Sequence, residues 1–435
     1  MKKTAKIIVA TAACACLVGA SGCAAATNSL SVDSYWYIDT FEGIQRTSVL
    51  DDEENANRTA EVLLYELNFE QPENGNAAYR VEYYTDSENF DEGDNAHYFK
   101  TTFYAKHFDW STDTNEKYTL TANDINAMPE EDQQRITDGT QEVLYVLETE
   151  MRVSGRYVFG GDDTEATAEN SVEFSDYMIT TTYFRSARNS LEPVYSKQEV
   201  HTTSPAMLAP AAPEDMCRQF EYSYEVFYNF DCTKATYTYT EHYSDYERSD
   251  PEEYTVGGLN NTGYTLFDNN ALYTAIRGMS LSESFSSTLS LFTPASFGVF
   301  NVRVTGGVQG ELDLEADADI ISALTSAYGE FDIPPAEKNG DSTDNGEDGT
   351  QETEEHSYIY YNPAYITAAS ELHGTTQTAW FAAVNISDSN GNTLSDEDNN
   401  VYRATMLRLT VPVSYSLGTI EYRLAEVVSV LGGQA

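Results

Sequence analysis

Between Cys217 and Cys232 the chain alternates with a period of two. Phe220, Tyr222, Tyr224, Val226, Tyr228 and Phe230 are interleaved with Glu221, Ser223, Glu225, Asn229 and Asp231. Side chains on a β-strand point to opposite faces in turn, so this stretch reads as one long strand with an aromatic face and a polar one. A strand of that kind needs paired neighbours and a partner for its aromatic face. It excludes a helical bundle and favours a large sheet.

The same pattern recurs along most of the chain, which carries 32 tyrosines. Candidate strands are Tyr98–Trp110, Val143–Phe159, Asp176–Arg185, Leu191–Thr203, Ala235–Tyr243, Ser284–Leu291, Val299–Thr305, Tyr358–Tyr361, Thr378–Ile386 and Met406–Tyr415. Leu63, Tyr65, Leu67 and Phe69 alternate up to an Asn74-Gly75 step, after which Tyr79, Val81 and Tyr83 resume, which predicts a hairpin. Two more hairpins are expected around Ala187–Ser190 and Asp231–Lys234. The fold class is therefore mainly β, a strongly curved antiparallel sheet or open barrel wrapping one or two short helices.

Helices are few. Asn269–Arg277 has Asp268 as N-cap and Gly278 as a stop, and places Leu272 and Ile276 one turn apart, facing the sheet. Pro129–Ile136 is a shorter candidate, with acids after the proline. Residues 336–357 are acidic and Gly/Asn/Thr-rich without an apolar period, which predicts a disordered surface insertion.

The N-terminus carries an address. Lys2, Lys3 and Lys6 precede the apolar run Ile7–Val18 and the small-residue exit Ala20-Ser21-Gly22-Cys23. This is the layout of a secretory signal, and the run is shorter than the roughly 20 residues a spanning helix needs. With cysteine at the cleavage point the segment resembles the lipobox of bacterial lipoproteins. That resemblance implies that Cys23 carries a diacylglycerol anchor on the extracytoplasmic face of the cell membrane. The expected organisation is a signal peptide at 1–22, a lipidated tether at 23–34, and a β-sheet domain at 35–435 with a sub-boundary near 130–140.

Charge narrows the partners. The formal net charge is −47 over 435 residues. Nucleic acid is not an expected partner, because phosphate binding requires a clustered basic footprint. Adhesion to anionic lipid through the protein surface is opposed for the same reason, leaving the lipid on Cys23 as the membrane contact. The acidity reads as solubility. Asp388-Ser389-Asn390-Gly391-Asn392 lacks the register of a calcium loop.

Cys217 and Cys232 follow Cys23 as the remaining thiols. In an exported protein a pair suggests a disulfide. The alternation between them opposes it: fifteen steps of strand span roughly 50 Å, whereas a bridge needs α-carbons about 4.4–6.8 Å apart.

Motifs for enzymatic chemistry are absent. There is no Gly-x-Ser-x-Gly, His-Glu-x-x-His, phosphate-binding glycine loop or Ser-x-x-Lys, and the six histidines are dispersed. The chain reads as a non-enzyme without cofactor or metal. Phe220, Tyr222, Tyr224, Val226 and Tyr228 are either the packed side of the sheet or, with Leu272 and Ile276, the lining of a ligand groove. Tyr358, Tyr360, Tyr361 and Tyr365 offer a sugar-stacking platform, although only Trp36, Trp110 and Trp380 accompany them.

Three segments carry an architectural resemblance. Ser175–Val194 is a strand leading into a Leu-Glu-Pro hairpin, Leu266–Arg277 a short capped helix, and Leu407–Ile420 a final strand pair. From about Glu142 to Glu426 this arrangement is similar to the lipoprotein-carrier-like (Lol-type) proteins, which wrap an antiparallel sheet around a helix. The resemblance implies a concave apolar face that in those carriers holds acyl chains. The expected function is thus a cell-envelope lipoprotein binding a lipid-like or lipid-linked molecule. The alternatives are a structural or protein-interaction module at the cell surface and a glycan-binding lipoprotein.

Overall fold

The structure is a computed structural model that describes residues 61–70, 79–84, 97–108, 142–160, 164–187, 190–205, 216–229, 231–243, 251–277, 285–296, 298–309, 315–328, 358–370, 376–387, 403–413 and 418–429. The signal, the tether, Pro129–Ile136, the insertion at 336–357 and the Asp388–Asn392 stretch lie outside them.

Among the described residues sixteen strands form one sheet. The first eight are β1 (Glu61–Glu70), β2 (Tyr79–Tyr83), β3 (Tyr98–Phe108), β4 (Glu142–Phe159), β5 (Ser171–Ala187), β6 (Ser190–Pro205), β7 (Cys217–Tyr228) and β8 (Lys234–Tyr243). The others are β9 (Glu252–Gly257), β10 (Leu266–Asp268), β11 (Phe285–Thr293), β12 (Gly298–Gln309), β13 (Tyr358–Ser370), β14 (Thr376–Ser387), β15 (Arg403–Val413) and β16 (Gly418–Ser429). Among the described residues two α-helices accompany them, α1 (Leu272–Arg277) and α2 (Ala318–Tyr328). Among the described residues no helix is long and apolar enough to cross a membrane.

The sheet runs β10-β11-β12-β13-β14-β15-β16-β1-β3-β4-β5-β6-β7-β8-β9. Every pairing is antiparallel except β10 with β11. Most strands form where the alternation predicts them; β9, β10 and most of β16 lie outside the predicted stretches, and Leu266–Asp268, expected as the start of the capped helix, is a strand. On β1, Leu63, Tyr65 and Leu67 are buried while Leu64 and Glu66 are only partly covered. On β7, Phe220, Tyr222, Tyr224, Val226 and Tyr228 are buried in the same rhythm. The expected hairpins β5–β6 and β7–β8 are present.

The hairpin expected at Asn74-Gly75 is not formed. β1 pairs with β16 and β3, and β2 pairs with β4. The reason is strand length. β4 has 18 residues and β3 covers only Glu142–Arg152, so β2 extends the same lane along Gly155–Phe159. Gly155 marks the hand-over. A Cβ there would meet Glu82 O at 2.6 Å and the Phe174 ring at 2.9 Å, so only glycine admits the β2 backbone. Because β1, β2 and β3 join β16 and β4, one sheet spans both sides of the 130–140 region.

The sheet curls without closing. Its two ends, β9 and β10, are joined by the short segment 258–265, and β10 packs on β6. Thr265 O accepts from the Ser290 N–H, and Thr233 O from the Leu259 N–H, so backbone hydrogen bonds tie both edges to this connection. The side chains of β7 and β8 then meet those of β10 and β11 face to face. Tyr228 and Tyr237 flank the Phe292 ring at 5.8 and 5.9 Å, both edge-on. Each such ring buries on the order of 150–250 Å², which makes this seam a major part of the core.

Helix α1 sits inside the curl. Asp268 caps the preceding 3₁₀ turn (Asn269–Ala271) by accepting from the Asn270 N–H at 2.9 Å. Leu272 and Ile276 are buried in the main core, as their spacing predicts. Helix α2 was not foreseen, and it lies on the convex side. Its Ile320, Ala323 and Leu324 are buried, and Arg423 of β16 bonds Asp319 (2.6 Å from Oδ1) and Asp317 (3.1 Å). Arg408 of β15 also pairs with Asp317 and lies 5.1 Å over the Trp380 ring.

Cys217 and Cys232 are both free thiols. β7 runs straight away from Cys217, and Cys232 lies in the turn beyond its far end, so the suggested disulfide is corrected. Cys232 takes a left-handed backbone (φ 52°) in that turn and its thiol donates to Pro193 O at 3.5 Å.

Candidate functional site

The concave side of the sheet encloses a cavity of about 130 Å³ beneath α1. Its lining comes from eleven strands, and the residues keep the parity that one sheet face requires: Leu63 and Tyr65; Phe99, Thr101 and Phe103; Leu147 and Thr149; Met178 and Thr180. Gln198, Tyr222, Phe300, Phe381, Met406, Leu409, Val411 and Tyr422 continue the ring, and Asn269, Asn270, Tyr273 and Thr274 form the roof.

The two sides of this cavity differ. One is aromatic and aliphatic. Phe99 meets the Tyr422 ring edge-on at 5.1 Å and the Tyr65 ring at 5.6 Å. Their hydroxyls are held by the protein, Tyr65 donating to Met406 O at 3.0 Å and Tyr422 to Met151 Sδ at 3.3 Å. The rings, not the hydroxyls, are thereby left as the contact surface.

The other side is polar, and several of its groups are bonded to one another. Thr149 and Thr180 hydroxyls bond at 2.6 Å. Tyr222 donates to Gln198 Oε1 at 3.4 Å, and Asn270 Nδ2 donates to Ser196 Oγ and Tyr224 OH, both at 3.1 Å. Behind this wall Tyr228 donates to Asp268 Oδ2 at 2.5 Å. Burial pushes the Asp268 carboxyl up to about 6, against the bonds from Tyr228 and Asn270 that favour its charged form. No Lys, Arg, His, Asp or Glu lines the cavity.

The predicted ligand residues are split by the structure. Tyr222 lines the cavity. Phe220, Tyr224, Val226 and Tyr228 are packed into the cluster that β7 and β8 form with Leu266 and Phe292. Leu272 and Ile276 are buried in the main core and do not line the cavity. The lining of β1, β3, β4 and β15 was missed. Its signal was present in the alternation of those strands, but alternation does not say which wall stays uncovered. Trp380 is 2% exposed beneath Arg408, which removes it as a sugar platform. Tyr358, Tyr360, Tyr361 and Tyr365 lie on β13. Trp36 and Trp110 are outside the described residues.

Polar clusters also lie outside the cavity. Asp176 on β5 is 2% exposed, near Tyr157 and Tyr83, and accepts from Thr202 Oγ1 at 3.4 Å. Burial raises its carboxyl to about 7. Burial and the neighbouring Asp176 push the Cys217 thiol up to about 12, which leaves it protonated and unreactive. On the convex face, register aligns Arg152, Tyr177, His201, Glu221 and His242 across five strands. There His201 Nδ1 lies 3.1 Å from Glu221 and stacks on Tyr177 at 5.6 Å, a cross-strand ladder at the surface. Among the described residues no group of three or more His, Cys, Asp or Glu side chains could hold a metal.

No family model matches the sequence, and no curated protein matches it. Among solved structures the chain is similar to a beta-barrel-like protein of domain of unknown function DUF1849 from Brucella abortus. The identity is 7% and the TM-score 0.28, over 85% of this chain and 96% of that one. A likeness of that size carries no argument about the site.

Proposed function

We propose that this chain is a non-enzymatic envelope lipoprotein that holds an apolar, lipid-like group inside its curled sheet. The cavity beneath α1 is the observation that carries this reading: aromatic and aliphatic on one side, bonded polar groups on the other, no ionisable side chain other than tyrosine in the lining. Affinity would come from burial, at roughly 0.8 kcal/mol per CH₂ removed from water. The size restricts the guest. An apolar cavity of about 150 Å³ takes one benzene-sized molecule, so about 130 Å³ suits a ring or a short alkyl segment and not a whole diacyl lipid. The remainder of a larger molecule would stay outside. The lipobox-like Ala20–Cys23 supports anchoring at the membrane, where lipid-linked molecules are concentrated.

The test is native mass spectrometry of the Cys23→Ser chain, exported and purified without detergent. Ala295 also lines the cavity, and a reproducible adduct of small apolar mass, lost when Ala295→Leu fills the space, supports the reading. A clean mass that stays clean after incubation with total envelope lipid refutes it and favours the protein-interaction module.

A further inference from the structure

Two features of the cavity go beyond an apolar guest. Its lining holds no ionisable side chain other than tyrosine, within a protein of net charge −47. And Asn269 Oδ1 is buried without a hydrogen bond, although Asn269 stands in the roof. Its neighbour Asn270 is the contrast. The Asn270 amide N–H groups are both used, on Ser196 and Tyr224, and its oxygen receives Gln198 Nε2 at 3.4 Å.

We infer that the cavity selects an electroneutral guest whose head group donates a hydrogen bond to Asn269 Oδ1: an amide or alcohol attached to the apolar segment. The inference rests on the cavity-binding reading above. A buried acceptor left unsatisfied costs free energy that a donor on the guest recovers. A carboxylate brings no donor and meets the Asn269 oxygen with its own negative charge. Asp268, the adjacent residue, and the acidic surface oppose it further. An ammonium has donors but no carboxylate in the lining, so its desolvation goes uncompensated. Among the other polar groups of the lining, Thr149, Thr180, Gln198 and Asn270 are already bonded to one another or to β-strand neighbours.

The experiment compares probes of one length on the Cys23→Ser chain at pH 8, by ligand-observed NMR titration: hexanamide, 1-hexanol, hexanoate and hexylamine, with toluene as a headless reference. Hexanamide and hexanol are expected to bind at least tenfold more tightly than hexanoate and hexylammonium. Asn269→Leu is expected to weaken hexanamide about tenfold and leave toluene unchanged, and Asn269→Ala gives the same readout should leucine disturb the turn. Toluene binding with hexanoate or hexylammonium as tight as hexanamide overturns this inference and leaves cavity binding standing. Hexanamide binding that is indifferent to both Asn269 variants overturns the role of the head group. Failure of every probe, toluene included, removes the cavity reading itself.

Discussion

Two stretches of the same concave face, built from the same residue types, end differently. Along β7 and β8 the rings of Tyr228 and Tyr237 close on Phe292, and the space is filled. Along β3, β4 and β15 the rings of Phe99 and Phe103, with Leu409, border open volume. The difference lies in what covers them. β10 and β11 cross over the first stretch and bring Leu266 and Phe292 with them. Over the second stands the six-residue helix α1, which is too short to reach every wall. A ligand site in such a fold is thus set by the cover more than by the strand beneath it.

The largest effect should follow from opening the filled stretch. Phe292→Ala is expected to cost about 3–5 kcal/mol in urea unfolding, because a fully buried ring leaves a void that the seam cannot collapse. A loss below about 1 kcal/mol would show that the seam repacks and that the two stretches are alike.

Protonation sharpens the comparison next. Asp176 has its carboxyl raised from 3.8 to about 7 by burial. The folded state then keeps its proton where the unfolded chain has lost it. Its contribution is fully present below about pH 4, declines by up to about 1.4 kcal/mol per pH unit as pH rises toward 7, and is flat above. Asp176→Asn should remove that slope, leave only the smaller window of Asp268 up to about 6, and raise stability at pH 8. Asp268→Ala should instead lose stability by about 1 kcal/mol, since it removes the cap of the turn before α1 and leaves the Tyr228 hydroxyl without its acceptor. Denaturant midpoints measured from pH 4 to 8 check both.

A matched pair of enlargements separates the stretches directly. Ala235→Leu, in the filled cluster, is expected to cost about 1–3 kcal/mol by overpacking. Ala295→Leu, at the cavity, should change stability by less than about 0.5 kcal/mol while abolishing toluene binding. Equal costs at the two positions would mean that the cavity is already full. The smallest effect is a null one: with Cys217 and Cys232 free, unfolding midpoints with and without reductant should coincide. A drop of about 2–4 kcal/mol on reduction would restore the bridge.

The hairpin that Asn74-Gly75 suggested shows how far local pattern reaches. The strands on either side were placed correctly, yet they pair elsewhere, because the length of β4 relative to β3 decides who lies beside β2. Helix α2 escaped notice for a related reason. Its apolar positions Ile320, Ala323 and Leu324 occupy barely two turns, and its hold on the sheet comes from Arg408 and Arg423 about 100 residues away in the chain.

By itself the sequence determined most of the strands (but not β9 or β10), their inward and outward faces, the cap at Asp268 and the curled antiparallel class. These depend on a two-residue period and on local backbone chemistry, both written in consecutive residues. Only the tertiary structure decided that Phe220, Tyr224, Val226 and Tyr228 are packed while Tyr222, Phe99, Thr101 and Phe103 face a cavity, and that Asn269 differs from Asn270. Those distinctions depend on which distant element lands on which face. That is fixed by the curl of the whole sheet, a property no single stretch of residues contains.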